Sequence, residues 1–142
     1  MPAGSFLVFL LDPWENFVLR EEASMIDHVA IPVRDLGTSR NFYEPLLEGL
    51  GAKVVMEWPG GVLFGTDDGM VALRESEQVA PLHVAFKADR AGVDRFHETA
   101  LAAGGSDNGA PGIREELHGN YYAAFVIDPD GHNVEAVCHR PA

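Results

Sequence analysis

An α+β domain built from a duplicated βαβββ unit is expected from this sequence on three grounds. A four-residue element recurs, together with the landmarks that follow it. Each copy starts with a period-two apolar run and continues with an apolar stripe at helical spacing. Short apolar segments then alternate with Gly- and Asp-rich turns.

The repeat is the strongest of the three. His28-Val29-Ala30-Ile31 returns as His83-Val84-Ala85-Phe86, 55 positions later. Each copy then reaches an aspartate, Asp35 and Asp89. From there the offset is 54, so that Phe42 matches Phe96, Glu44 matches Glu98, Leu47 matches Leu101 and Gly51 matches Gly105. Self-similarity at a fixed spacing marks a repeated structural unit. Neither copy is large enough to bury its own sheet and helix, so the two are expected to share one core. Module one spans about 25–76 and module two about 81–139, forming a single domain over 25–139. Residues 1–24 lie outside the repeat as an N-terminal extension. There, Phe6 to Leu11, a turn at Asp12-Pro13 and Phe17 to Leu19 suggest a hairpin.

In module one, Ile26 to Val33 alternates. Val29, Ile31 and Val33 share one face, and His28, Ala30 and Pro32 the other. A helix is expected over about 36–50, with Leu36, Phe42, Tyr43, Leu46, Leu47 and Leu50 as its stripe and Gly51 as its stop. Pro45 removes a backbone donor and is expected to kink or split this helix. Strands follow at 52–58, 62–66 and 70–74, with turns at Gly60-Gly61 and Asp67-Asp68-Gly69. In module two, Leu82, Val84 and Phe86 face one way, and His83, Ala85 and Lys87 the other. A helix over about 90–103 carries Val93, Phe96, Ala100 and Leu101. The stretch 106–112 reads as a loop with at most a short strand. Asn120 to Ile127 and Asn133 to Cys138 then form a hairpin around Asp128-Pro129-Asp130-Gly131.

Charge and composition exclude several partners. Ten Lys plus Arg stand against 22 Asp plus Glu, a net charge of −12. Binding a polyanion requires clustered cations, and the few here are scattered, so neither nucleic acid nor an anionic membrane surface is an expected partner. The longest strongly apolar run, Phe6 to Leu11, is too short to cross a bilayer. Cys138 is the only cysteine, which suits a reducing compartment and a cytoplasmic location. The chain has no G-x-G-x-x-G, P-loop, G-x-S-x-G or H-E-x-x-H motif. Asp128-x-Asp130-Gly131 lacks the remaining ligands of a calcium loop.

The chemistry-bearing residues cluster by parity. His28 and His83 lie on the faces opposite the large apolar residues, away from the helices. On the last strand, Val134 and Ala136 take the core face, which leaves Glu135 with the histidines. Two imidazoles and one carboxylate are a ligand set for Fe, Mn, Ni or Zn that leaves coordination positions open. If Gly131 forms a bulge after a type I turn, Asp128 opposes His132 and Phe125 opposes Glu135. Tyr121, Ala123 and Phe125 then line the ligand face. A four-residue loop would present Tyr122, Ala124 and Val126 instead; the first register is the one expected. Phe125, Ala123 and Lys87 are the candidate pocket residues. Tyr121 and His118 are the candidate catalytic groups, and no general base stands out. His97, His132 and His139 are not expected to take part.

Several segments resemble the vicinal oxygen chelate superfamily, which includes glyoxalase I, bleomycin-resistance proteins, fosfomycin-resistance enzymes and extradiol dioxygenases. They are Ile26 to Leu36, Ser39 to Tyr43, Leu82 to Phe86 and Phe125 to Glu135. The resemblance implies a cup-shaped mixed sheet formed by two βαβββ modules, with helices on its outer face. It also implies one divalent metal ion, placed on His28, His83 and Glu135. The remaining fourth-strand position aligns with Leu73, which cannot bind metal, so the four-ligand pattern of glyoxalase I is not met. Two functions follow from the resemblance. One is a metal-dependent enzyme, lyase-like or dioxygenase-like, that chelates adjacent oxygens of a small substrate. The other is a metal-free small-molecule binder of the bleomycin-resistance type. A homodimer is implied as well.

Overall fold

The computed structural model describes residues 25–142, so the hairpin expected within 1–24 lies outside the described residues. The elements run β1 (His28–Val33), α1 (Leu36–Gly49), β2 (Lys53–Trp58), β3 (Gly61–Thr66), β4 (Gly69–Glu75), β5 (His83–Lys87), α2 (Arg90–Ala102), β6 (Ser106–Ile113), β7 (Tyr122–Ile127) and β8 (Asn133–Cys138). This is βαβββ twice, as the repeat predicts.

The repeated aspartates are helix N-caps. Asp35 accepts a hydrogen bond from the Thr38 N–H at 2.7 Å, and Asp89 accepts one from the Gly92 N–H at 2.6 Å. A carboxylate at this position satisfies a backbone donor left over by the first turn. Both helices stop before a glycine with positive φ, Gly51 and Gly104, a conformation that costs glycine little. Pro45 neither splits nor ends α1, which runs unbroken from Leu36 to Gly49. Its ring is on the exposed side, as is Asn41, whose carbonyl loses the bond. The lost bond therefore falls on the solvent side, while Phe42, Tyr43, Leu46 and Leu47 hold the other side in the core.

The strands form two four-stranded mixed sheets, ordered β1-β4-β3-β2 and β5-β8-β7-β6. In each, the first strand pairs in parallel with the last and the other pairs are antiparallel. The backbone ladders stay within each sheet. What unites the modules is the core: Ile31, Val33, Phe42, Tyr43, Leu46, Leu73, Val93, Phe96, Val126, Val134 and Ala136 pack as one buried cluster. The 106–112 stretch departs from expectation and forms strand β6 through Ile113. Two register shifts, at Asp107/Gly109 and Gly109/Gly112, absorb its glycines and Pro111.

The β7–β8 turn latches module two onto module one. Gly131 has φ +90° and donates to the Asp128 carbonyl, while the Asp128 N–H donates to the His132 carbonyl. This is the bulged turn, and it puts Phe125 opposite Glu135. The Asp128 carboxylate accepts from the Asp130 and His132 N–H groups and, at 2.6 Å, from the Tyr43 hydroxyl on α1. Asp130 accepts from the Arg34 N–H, the Arg34 guanidinium and Ser39 Oγ. The fully buried His132 ring accepts from the Leu82 N–H at Nδ1 and donates from Nε2 to the Pro32 carbonyl at 2.7 Å.

Candidate metal centre

Among the described residues, Asp128, Asp130 and His132 are the three acidic or histidine side chains whose ligand atoms lie within 4.8 Å of one another. Their atoms are already engaged in the latch. Both His132 nitrogens are bonded, and the two carboxylates accept from six donor groups of the protein. Their chemistry is that of a joint between modules.

The second sheet holds the more open arrangement. Glu135 sits on β8 and is 2 % exposed. Its Oε2 lies 3.0 Å from His83 Nε2, and its Oε1 accepts a short hydrogen bond from the Tyr121 hydroxyl. His83 Nδ1 lies 2.9 Å from the Asn133 carbonyl oxygen. A carbonyl oxygen only accepts, so Nδ1 must carry the hydrogen. The Nε2 of a neutral ring is then a bare lone pair facing a buried carboxylate oxygen. Two acceptors at that distance repel unless a cation, either a proton or a metal ion, sits between them. Burial first, then the hydrogen bond to Glu135, raises the Tyr121 phenol far above its ordinary range. Tyr121 therefore remains a donor at neutral pH and orients the carboxylate.

His28 lies elsewhere in the chain. Its side chain is 63 % exposed, and Nδ1 is 2.7 Å from Asp27 Oδ1. Donation from Nδ1 to that carboxylate leaves Nε2 as the outward lone pair, the orientation common in metal-binding histidines. The two sheets' edge strands explain the separation. Pro32, near the end of β1, is tied through His132 to Leu82 at the start of β5. At the other end, Lys87 of β5 approaches Asp68, close to the start of β1, at 3.9 Å. The two strands thus run in opposite directions. His28 is four residues from Pro32, or roughly 13 Å of strand. Within one chain, His83, Glu135 and Tyr121 come together and His28 does not join them.

Strand pairing also revises one alignment. His28 pairs with Met70 and Ala30 with Ala72; His83 pairs with Asn133 and Ala85 with Glu135. The module-one counterpart of Glu135 is therefore Ala72. Leu73 is on the helix side, wholly buried in the core. The β3–β4 turn, with two residues between paired Thr66 and Gly69, is shorter than the β7–β8 turn, so that matching Asp68-Gly69 to Asp130-Gly131 in the sequence, which leads to Leu73, shifts the register by one. Alanine, like leucine, provides no ligand.

Of the remaining candidates, Phe125 and His118 lie beside this half-site. Phe125 stacks near His83, with ring centroids 6.3 Å apart. Ala123 is fully buried opposite Val137. Lys87 is 63 % exposed at the far end of β5. The His118 ring lies 5.5 Å from that of Tyr121 and bonds His139 through Nε2 to Nδ1 at 2.9 Å. Burial, then the neighbouring His118, lowers the pKa of His139. His139 thus joins the Tyr121 cluster, which its place near the C-terminus gives no sign of.

The family model for the Glyoxalase/Bleomycin resistance protein/Dioxygenase superfamily matches residues 25–136. The chain belongs to this superfamily. Among solved members, a glyoxalase/bleomycin resistance protein from Albidiferax ferrireducens T118 is 30% identical, with a TM-score of 0.73 over 80% of this chain and 98% of its own. A glyoxalase-like protein from Bacillus halodurans is 26% identical, with a TM-score of 0.63 over 80% and 94%. Lactoylglutathione lyase from Agrobacterium tumefaciens, at 23% identity and a TM-score of 0.62 over 82% and 95%, shares the fold. No curated protein matches this superfamily member. Among its described residues, no helix is long and apolar enough to cross a membrane.

Proposed function

We infer that this chain is a metal-dependent enzyme of the glyoxalase/dioxygenase type, acting on a small substrate that presents two adjacent oxygens. The observation that carries this reading is the His83 Nε2–Glu135 Oε2 pair at 3.0 Å, with Nδ1 committed as a donor. His83 and Glu135 would hold a divalent ion of Fe, Mn, Ni or Zn, which would supply Lewis-acid polarisation of the substrate oxygens. Tyr121 holds the carboxylate from behind. Phe125 walls the site on the neighbouring strand. One buried thiol, Cys138, suits a reducing, cytoplasmic setting for a redox-sensitive ion.

The third ligand is His28 of a second copy. Support comes from the outward Nε2 of His28 and from its distance along β1 from the His83 end. Among the described residues, the first sheet also carries an exposed apolar edge, with Val54, Val55, Met56 and Trp58 all on β2. In a symmetric dimer, one sheet of each protomer covers the other sheet of its partner.

Mixing two inactive chains tests both points. His28→Ala and His83→Ala proteins each lose stoichiometric metal by elemental analysis. A refolded mixture regains one site per heterodimer, because one interface keeps both histidines. If the mixture regains none, the shared site is wrong; if the wild-type chain takes up no divalent ion, the metal reading is wrong. The second outcome favours the metal-free binder, since a proton also satisfies the His83–Glu135 pair.

A further inference from the structure

Arg114 follows β6, and its guanidinium folds back across the same face as the half-site. Its carbon is 5.5 Å from the centroid of Phe125, and Phe125 in turn stacks near His83. Nη2 donates to the Ala110 carbonyl at 2.6 Å. The sequence clears space for it: a Cβ at Gly109 would come within 3.2 Å of Nη2, and one at Gly112 within 3.4 Å of Nη1. Among the described residues no carboxylate pairs with Arg114, although the chain has 22 acidic groups to offer. A partly buried guanidinium held by one carbonyl and an aromatic face keeps most of its donor fork unused.

We propose that Arg114 is a carboxylate anchor, so that the substrate is a small acid whose anionic end is remote from its two chelating oxygens. This rests on the metal-site reading above and adds a substrate class to it. Glu135, Phe125 and Gly109 lie in one row across β8, β7 and β6. Neighbouring strands are about 4.8 Å apart, so the anchor is between one and two strand spacings from the cation position. A chain of three or four carbons spans that gap and lies over the Phe125 ring. The guanidinium fork matches a planar carboxylate with two parallel hydrogen bonds.

The test uses the full chain with and without Ni²⁺, and two probes of equal chain length. 2-Oxoglutarate has adjacent oxygens and a distal carboxylate; 2-oxopentanoate has the same oxygens and a methyl end. Calorimetry should show 2-oxoglutarate binding about tenfold tighter, the worth of one charge-assisted contact. Arg114→Gln should erase the preference while leaving 2-oxopentanoate affinity unchanged, and Arg114→Lys should restore part of it. Equal affinities in the wild type, a preference that survives Arg114→Gln, or no binding of either acid overturns the anchor. A chain that takes up no Ni²⁺ yet prefers 2-oxoglutarate through Arg114 keeps the anchor and loses the metal reading. One that holds Ni²⁺ without preference loses the anchor alone.

Discussion

The two modules share a topology and differ in what they do with it. Module two carries Glu135 in contact with both His83 and Tyr121, and its long turn grips α1 and β1 through Asp128, Asp130 and His132. Module one has His28 alone, alanine where the carboxylate would be, and a short β3–β4 turn. Their edge strands diverge too. β6 is polar, bulged and carries Pro111, a protected edge. β2 exposes Val54, Val55, Met56 and Trp58. Duplication supplied two scaffolds; one carries the cluster around Glu135 and the other a single histidine on the matching strand and an exposed apolar edge.

The largest test of this asymmetry is metal retention. Glu135→Ala should abolish stoichiometric metal, measured by elemental analysis. Ala72→Gly, at the matching position of module one, should leave it intact, because that position provides no ligand.

Next are the turns. Asp128→Ala strands the Tyr43 hydroxyl and two backbone donors inside the joint and should cost about 3 kcal/mol in urea unfolding. Asp68→Ala in the β3–β4 turn loses a 3.9 Å surface pair with Lys87 and should cost less than about 0.5 kcal/mol. Equal losses would mean the two turns do the same work.

Tyr121→Phe removes the donor that orients Glu135 and should weaken metal affinity about tenfold, read by competition with a chelating dye. The smallest effect concerns acid. The backbone bond from Thr38 holds the Asp35 carboxyl below its ordinary value of 3.8, and His97 does the same for Asp107. The unfolded chain takes up these protons first. Their stabilisation is therefore complete above pH 4 and fades as the pH falls through the lower native values. Melting temperature against pH should fall less steeply below pH 4 in Asp35→Asn than in the wild type.

Much of this was legible in the chain. The parity of His28, His83 and Glu135 followed from period-two alternation, and the register of Phe125 against Glu135 from Gly131 and the turn that precedes it. Three things were not. Pro45 sits inside α1 because its exposed side faces water, which no local rule reveals. β6 hides as a loop because its glycines sit at bulges. His139 reached the Tyr121 cluster from the chain's end, with no motif to announce it.

By itself, the sequence determined two βαβββ modules and which side chains stand on the face away from the helices. These are local matters of spacing and parity. Only the tertiary structure decided that β1 and β5 run in opposite directions, because His132, Asp128 and Asp130 clamp the modules in that orientation. That orientation sends His28 and His83 to opposite ends of these two strands. Distance between elements depends on how they dock, and docking is set by contacts that join residues as far apart as Pro32 and His132.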